Sequence, residues 1–369
     1  MPDITKIDKN LATPLNIESS DTDFYDITKA PFEIFGVMIP KRADDKFRRM
    51  PRKVAESVSE GVVALHSNTA GGRIRFRTDS PYITIKVEMP EVCRFPHMPL
   101  TGTTGFDAYR TDGREQIYVG TFVPPNESER GYTAKIGGGF IGEGDYIINM
   151  PLYNDVSKVY IGIKKGAKLS QSISKYINEP PIVYYGSSIT QGGCASRPGN
   201  CYQSIISRRL NRDYINLGFS GSAQAEQPMI DYIKTLDMSV FVYDYDHNAP
   251  TPQYLKQTHK HMFDEIRGAK PDIPIIMISR PSAVVYPDTK KRLDIIRDTF
   301  ECAKKDGDKN VYMIDGGEMM RKFCGNDGTV DNTHPNDFGF RAMAEGIGNC
   351  LERILLYPKE SNPNPPENA

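Results

Sequence analysis

Tryptophan is missing from this sequence, cysteine is sparse, and the charges nearly cancel. The formal net charge of −1 over 369 residues gives no electrostatic steering toward nucleic acid or an anionic membrane. Six cysteines are too few for a disulfide scaffold, and no two of them have the Cys-x-x-Cys spacing of a metal site. The sequence therefore predicts no nucleic-acid partner and no cysteine-based metal site, whereas the lack of tryptophan excludes no class.

Long apolar runs are also missing. No run is long enough to span a bilayer, so no membrane contact is predicted. Residues 1–10 begin with Met and are polar and charged, without the apolar centre of a signal peptide, which favours a cytoplasmic protein. A disulfide between Cys194 and Cys201 and two free thiols both fit the spacing, but a reducing cytosol favours free thiols.

The first half of the chain contains short β-rich runs separated by turn-forming residues. Residues 73–77 and 82–87 alternate strictly between polar and apolar side chains, which predicts half-buried antiparallel strands. Many short strands at this spacing are typical of a β-sandwich or jelly roll, and we assign residues 1–178 to such a domain. The other predicted strand regions are 61–65, 116–120, 145–149 and 158–163.

The second half alternates between apolar runs and helical patterns. This order predicts an α/β domain over residues 179–360, with a parallel sheet covered by helices on both faces. Residues 361–369 are rich in Pro and Asn, and we expect this tail to be disordered. The predicted strands are 182–185, 214–217, 240–245, 273–278 and 311–314. The predicted helices are 202–210, 228–235, 253–267, 288–305 and 339–356.

The end of the first of these strands carries a serine. Ser188 lies in Gly-Ser-Ser-Ile-Thr, directly after the apolar run 181–185. A strand that ends at a Gly and delivers a hydroxyl to a loop can present a nucleophile, although the same pattern suits a helix N-cap. Asp331 and His334 favour catalysis, because an acid and a base are what a serine hydroxyl needs to lose its proton.

Two more strand ends supply hydrogen-bond donors. Gly221 follows the second parallel strand and Asn248 follows the third. Ligands of such sheets bind outside the carboxyl ends of the strands, so these residues fall beside Ser188. Acyl transfer needs donors aimed at the developing oxyanion. The N–H groups of Ser188 and Gly221 and the amide of Asn248 are candidates for this oxyanion hole.

These stretches, in this order, resemble the sequence blocks of the SGNH (GDSL-type) hydrolases, a superfamily of esterases and lipases. By position, Ser188 matches the nucleophile, Gly221 and Asn248 match the oxyanion residues, and Asp331 and His334 match the final Asp-x-x-His. The resemblance implies a flavodoxin-like α/β/α SGNH hydrolase domain with a Ser-His-Asp triad. Such a triad needs no cofactor and no metal.

The resemblance reaches the first half as well. Residues 105–109, Gly-Phe-Asp-Ala-Tyr, look like the Gly-x-Asp-Leu-Tyr signature of the β-rich domain found in one bacterial branch of these esterases. There are two departures: Ser187 stands where the usual motif has Asp, and His247 stands where many members have Gly. The join near 177–181 is short and contains no flexible linker, which predicts a packed interface that brings the β-domain beside Ser188.

Arg197, Asp246 and Arg280 are the candidate substrate-binding residues, and each has a structural alternative. Arg280 ends the fourth parallel strand and suits either a polar substrate group or a carboxylate partner. Arg197 suits either the entrance to the site or the support of a loop. Asp246 belongs to an acidic stretch that also resembles a metal cluster by composition, but the spacing does not put its side chains on one face.

The resulting functional hypothesis is a serine esterase that removes small acyl groups, acetyl foremost, from sugars or oligosaccharides. The sugar preference comes from the resemblance to bacterial carbohydrate acetylesterases. An acyltransferase or a thioesterase for a small metabolite would use the same residues. A non-catalytic glycan-binding protein is disfavoured by the intact Ser, Gly, Asn and His set. The sequence leaves the acyl length, the alcohol and the oligomeric state open.

Overall fold

The computed structural model describes residues 7–8, 20–42, 45–113, 115–137 and 141–356, so the tail predicted to be disordered lies outside the described residues. The strands of the first half are β1 (Thr22–Asp26), β2 (Glu33–Phe35), β3 (Arg73–Thr78), β4 (Tyr82–Glu88), β5 (Phe106–Asp112), β6 (Glu115–Phe122), β7 (Gly131–Gly137), β8 (Gly144–Asn149), β9 (Lys158–Lys164) and β10 (Leu169–Ser170). They form two antiparallel sheets, in the orders β1-β9-β4-β7 and β10-β3-β8-β5-β6, and β2 pairs with β3.

A single apolar core lies between the two antiparallel sheets. Ile85 and Ile161 enter it from the first sheet, and Phe76, Phe106 and Ile148 enter it from the second. Because each strand turns alternate side chains inward, short strands of mixed composition can bury one full face. The predicted β-sandwich is confirmed, while a jelly-roll connection of its strands stays a prediction.

One predicted strand is wrong. Residues 61–65 lie in α2 (Glu60–Leu65), which follows α1 (Arg52–Val58). The Ser59 side chain accepts a hydrogen bond from the Val62 N–H at 3.3 Å and so caps α2. Val62 is fully buried. The cap and this burial outweigh the strand preference of the Val-Val pair.

The second half contains one five-stranded parallel sheet. Its strands are β11 (Ile182–Gly186), β12 (Tyr214–Gly218), β13 (Val240–Asp244), β14 (Ile275–Ile278) and β15 (Val311–Ile314). Their spatial order is β12-β11-β13-β14-β15, and every neighbouring pair is parallel. Counted from β11, this is the 2-1-3-4-5 order of flavodoxin-like folds. The five predicted strands and the predicted topology are confirmed.

Helices cover both faces of the parallel sheet. They are α4 (Ser188–Gln191), α5 (Tyr202–Leu210), α6 (Gln227–Thr235), α7 (Pro252–Ala269), α8 (Thr289–Lys305), α9 (Gly316–Phe323) and α10 (Asp337–Leu356), while α3 (Leu100–Thr103) belongs to the first half. Along β11, Val183 and Tyr185 pack in the core with α6, α7 and α8, whereas Ile182 and Tyr184 pack in the core with α5 and α10. The three-layer α/β/α prediction is confirmed, and α4 and α9 were not predicted.

The first half also contributes to the second core. Met50, Ala55 and Val62, from the α1–α2 segment, are buried in the cluster that contains α6, α7 and α8. On β3, the Arg73 guanidinium donates to Asp213 Oδ1 at 2.7 Å. The two halves therefore share a packed interface, and the domain boundary at 178/179 stays a prediction.

The remaining global predictions concern cysteines and membranes. All six cysteines are free thiols, so the disulfide alternative for Cys194 and Cys201 is not realised. Among the described residues, no helix combines the length and the apolarity needed to cross a membrane. The location of the protein in the cell stays a prediction.

Candidate active site

The site begins where β11 and its two neighbours end side by side. Gly186, the last residue of β11, pairs with Gly218 of β12 and with Asp244 of β13. A Cβ atom on Gly186 would lie 1.7 Å from Asp244 Oδ1, so no larger residue fits there. The loops that follow these three strands therefore start from adjacent positions at one edge of the sheet, as predicted.

Ser188 is the first residue of the short helix α4. Ser187 caps this helix, because its hydroxyl accepts a hydrogen bond from the Ile189 N–H at 3.2 Å. The helix ends at Gly192, whose φ of +105° requires the left-handed region. Ser187 thus performs the capping role to which an Asp is also suited, and the departure from the usual motif leaves the turn intact.

Ser188, His334 and Asp331 form a continuous chain of hydrogen bonds. Ser188 Oγ lies 2.8 Å from His334 Nε2, and His334 Nδ1 lies 2.8 Å from Asp331 Oδ2. An ionised carboxylate only accepts hydrogen bonds, so Nδ1 carries the proton. Nε2 then has a free lone pair directed at the Ser188 hydroxyl. The structure thus brings Ser188 to Asp331 and His334, which lie 143 and 146 positions further along the chain (331 − 188 and 334 − 188).

Asp331 is held in its charged form. Partial burial opposes its ionisation, but hydrogen bonds from the backbone and ring of His334 and from the Thr333 N–H outweigh this effect and lower the pKa of Asp331. The His334 N–H donates to Asp331 Oδ1 at 2.7 Å, so one carboxylate fixes both the backbone and the ring of the histidine. This arrangement sets the orientation of the imidazole.

The loop around His334 is tied to the loop between β14 and α8 and to α10. Tyr286 donates its hydroxyl hydrogen to the Asn332 carbonyl at 2.8 Å. Asn336 Oδ1 accepts from the Gly339 N–H at 3.0 Å at the start of α10. Asn332 has a φ of +65°, a conformation that Asn tolerates better than most residues. The turn that places Asp331 next to His334 is thus supported from both sides.

The predicted oxyanion donors lie on the loops after β12 and β13. Gly221 has a φ of +68°, and a Cβ there would meet nothing within 4 Å, so backbone conformation rather than space selects glycine. Asn248 Oδ1 accepts from the Ala223 N–H at 3.3 Å. This bond occupies the oxygen and leaves the amide NH₂ group of Asn248 as the donor end.

Two residues of the β-sandwich lie against the triad, and sequence reasoning missed both. The Tyr153 hydroxyl donates to the Ser188 carbonyl at 3.2 Å. The His97 ring centroid lies 5.6 Å from that of His334. No local motif identifies them, because both occupy loops between strands. The packed interface predicted from the short join therefore does reach the Ser188 site.

The Gly-x-Asp-Leu-Tyr-like stretch anchors a loop of the α/β domain. Asp107 is fully buried and accepts hydrogen bonds from the Arg197 guanidinium and, at 2.9 Å, from the Gly199 N–H. Arg197 also contacts the Tyr109 hydroxyl at 2.6 Å. Both bonds come from Nη1 of Arg197 and tie its side chain to the β-sandwich, which supports the loop-holding alternative. A contact between Arg197 and substrate stays a prediction.

Asp246 and Arg280 are joined to each other at the ends of β13 and β14. Asp246 is 2% exposed, and its Oδ2 accepts from the Arg280 N–H at 3.0 Å. Burial raises the pKa of Asp246 to about 6. The Arg280 guanidinium lies 5.3 Å from the centroid of the Tyr286 ring. Asp246 therefore braces the end of β14, and the substrate-binding roles of both residues stay predictions.

Comparison with known proteins agrees with this geometry. Residues 179–352 match the GDSL-like Lipase/Acylhydrolase family, and residues 22–169 match the N-terminus of SGNH-hydrolase-type esterases. The α/β half belongs to the GDSL-like lipase/acylhydrolase family, and the β-sandwich is the N-terminal domain of esterases of this type. These matches support a carboxylic ester hydrolase. A comparison with curated protein sequences finds no significant match.

Solved structures share the whole two-part architecture. A protein from Bacteroides ovatus described as a GDSL-like lipase is 27% identical, with a TM-score of 0.78 over 91% of this chain and 98% of that one. A salicylyl-acyltransferase from a tetracycline biosynthetic pathway is 19% identical, with a TM-score of 0.74 over 92% and 99%. An acetyl xylan esterase from the rumen bacterium Butyrivibrio proteoclasticus is 12% identical, with a TM-score of 0.55 over 91% and 99%. The last two show the fold alone.

Proposed function

We propose that this protein is a serine esterase that hydrolyses small acyl esters, acetyl foremost, on sugars or oligosaccharides. The observation that carries the proposal is the hydrogen-bonded chain from Ser188 Oγ through His334 to Asp331, with two bonds of 2.8 Å. This chain is what converts an inert hydroxyl into a nucleophile at neutral pH.

Acylation uses His334 first as a base and then as an acid. Nε2 takes the proton of Ser188 as Oγ bonds to the ester carbonyl carbon. The tetrahedral intermediate collapses, the bond to the alcohol oxygen breaks, and Nε2 returns the proton to that oxygen. Asp331 stays ionised throughout and stabilises the imidazolium. An acyl group then remains on Ser188.

The negative charge of the intermediate needs donors that are already in position. The N–H groups of Ser188 and Gly221 and the Asn248 amide fill this role. Each such donor contributes roughly 3 kcal/mol to the stability of the transition state. Water then attacks the acyl-enzyme with His334 as base, which releases the carboxylic acid and restores the Ser188 hydroxyl.

The substrate class rests on the surroundings of the triad. The β-sandwich reaches the site through Tyr153 and His97, and we expect an alcohol larger than a few atoms to contact both halves of the chain. Arg280, whose side chain is 12% exposed, is our candidate for hydrogen bonding to its hydroxyl groups. The acetyl xylan esterase that shares this fold supports an acetylated saccharide as substrate.

A transferase that passes the acyl group to an acceptor other than water is the second candidate. The salicylyl-acyltransferase with this fold favours it. Hydrolysis and transfer share the acylation step and differ in the second nucleophile. Product analysis in the presence of a competing alcohol separates them, because a transferase yields a new ester and a hydrolase yields free acid.

Ser188→Ala tests the proposal directly. We expect a loss of kcat of several orders of magnitude on p-nitrophenyl acetate and no labelling by a fluorophosphonate probe, because the only covalent attacker is gone. Ser187→Ala is the matched control: it removes the neighbouring hydroxyl and its cap but should retain most activity. More than about a hundredth of wild-type kcat in Ser188→Ala would refute the assignment.

A further inference from the structure

Three potential metal ligands meet beside the nucleophile. His97, Cys194 and His334 each offer a ligand atom, and these atoms all lie within 4.8 Å of one another. The three residues come from three separate segments: the loop after β4, the loop after α4 and the loop before α10. Cys194 is 5% exposed, and both histidines are half-buried. Only the packing of the β-sandwich on the α/β half brings them together.

The ligand types and the distances suit a borderline divalent ion. Zn²⁺ is bound by imidazole nitrogen at about 2.0 Å and by cysteine sulfur at about 2.3 Å in a tetrahedron, which puts its ligand atoms roughly 3.5 Å apart. Side-chain rotations that move the ligand atoms by about 1 Å close the remaining gap. His97 has no hydrogen-bond partner within the described ranges, so such a rotation breaks no bond there.

The surroundings of His334 match those of a metal-ligating histidine. Its Nδ1 is held by the Asp331 carboxylate, so Nε2 is the nitrogen that a metal would meet. A carboxylate that accepts from the remote ring nitrogen is the usual support of such a ligand, since it fixes the ring and raises its basicity. Cys194 has a φ of +73°, and strained backbone of this kind concentrates at functional sites.

We propose that His97, Cys194 and His334 form an inhibitory binding site for Zn²⁺ or a similar divalent ion. The Cys194 thiol releases its proton to solvent as the sulfur–metal bond forms, and water completes the tetrahedron. The ion binds His334 Nε2 and so competes with the Ser188 hydroxyl for this nitrogen. The proposed metal binding depends only on the cluster of His97, Cys194 and His334. The proposed inhibition also depends on the proposed function of Ser188 and His334.

Binding is tested with Co²⁺ as the probe on the full-length protein. We expect saturable binding of one ion with a thiolate-to-cobalt charge-transfer band, and displacement of Co²⁺ by Zn²⁺. Cys194→Ser should abolish the band, and His97→Gln should weaken binding at least about tenfold, since loss of even a second-shell partner costs a metal site that much. The controls Cys302→Ser and His261→Gln, which alter an exposed thiol and an exposed ring, should bind like the wild type.

Inhibition is tested separately on p-nitrophenyl acetate. Zn²⁺ should stop hydrolysis reversibly, a chelator should restore it, and Cys194→Ser and His97→Gln should raise the inhibitory concentration at least about tenfold. Absence of the charge-transfer band in the wild type would overturn the site. A band with unchanged inhibition in both variants would overturn its regulatory role. A wild-type protein that binds Co²⁺ but hydrolyses no ester would contradict the proposed function and leave the metal site standing.

Discussion

Asp331 and His334 are neighbours in one hydrogen-bonded chain, but they have different roles in catalysis. His334 moves the proton in both halves of the reaction, while Asp331 orients the ring and stabilises its cation. We therefore expect His334→Ala to lower kcat on the order of 10⁴-fold or more, and Asp331→Asn to lower it at least about tenfold less. Steady-state kinetics of both variants on p-nitrophenyl acetate measure the order, and the reverse order would contradict these roles.

Asp244 makes stability depend on pH. It is buried, it accepts a hydrogen bond from the Thr190 hydroxyl, and burial raises its pKa from 3.8 to about 8. Between these values the unfolded chain has lost the proton and the folded chain has kept it. The contribution of Asp244 to the free energy of unfolding therefore falls as pH rises across this range and is constant above it.

Asp244→Asn replaces the carboxyl with a neutral amide, so the variant does not lose stability through this group as pH rises. Its stability relative to the wild type should rise steadily from about pH 4 to about pH 8 and then level off. Urea unfolding at several pH values measures the difference. Asp298→Asn, which changes an exposed acid on α8, is the matched control. A pH profile for Asp244→Asn that does not differ from that of the control would show that burial does not raise the pKa of Asp244.

The site was only partly predictable from residues. Ser188, Asp331 and His334 lie in short local patterns with chemical meaning, so the sequence identified them and the structure brings them together. Tyr153 and His97 carry no such pattern. They contact the triad only because the β-sandwich packs on the α/β half. No local sequence motif marks a contact between segments so far apart in the chain.

At the scale of elements, the sequence predicted best the bounds of the strands that are buried on both faces. The strands of the parallel sheet are continuous apolar runs, and their predicted bounds agree with the structure within two residues. On β3, alternation predicts arginines on a solvent face, yet Arg73 and Arg75 are 1% and 0% exposed. Tyr214 and Tyr176 stack on their guanidinium groups at 3.8 and 3.7 Å. Polar/apolar alternation thus predicts which side chains of a strand share a face, but it does not predict whether another part of the chain covers that face.

The helix α2 depends on its cap, because it is only six residues long. Ser59→Ala removes the acceptor for the Val62 N–H and should cost about 1 kcal/mol of unfolding free energy. Ser57→Ala, in the exposed part of α1, is the matched control and should change stability by less than about 0.5 kcal/mol. Urea denaturation of both variants checks the prediction, and equal effects would mean that the cap contributes nothing.

At the scale of the whole molecule, the β-sandwich cannot be removed without opening the core of the α/β half. Met50, Ala55 and Val62 fill positions beside Phe219 and Met229. The Arg49 guanidinium donates to the Asn216 carbonyl at 3.2 Å and stacks on the Phe219 ring at 4.6 Å. These contacts tie the first half to the ends of the catalytic strands.

A chain that begins at Lys175 should therefore not fold by itself. We expect no cooperative thermal transition and strong binding of a hydrophobic dye, since the truncation exposes the apolar surface that α1 and α2 cover. The full-length protein is the control. A truncated chain with a sharp melting transition and wild-type activity on p-nitrophenyl acetate would show that the α/β half is an independent module.

The same contacts delay the packing of the α1–α2 segment while the chain is being synthesised. Arg49 and Asn216 are 167 residues apart, so at 5–20 residues per second the α1–α2 segment waits roughly 8–33 s on the ribosome for its partners. During that time Val62 and its neighbours lack the second-half side chains that bury them in the complete fold. Transiently exposed apolar surface of this kind promotes aggregation and is what chaperones protect. Contacts this distant also slow the final folding step, because a long loop must close before any of them forms.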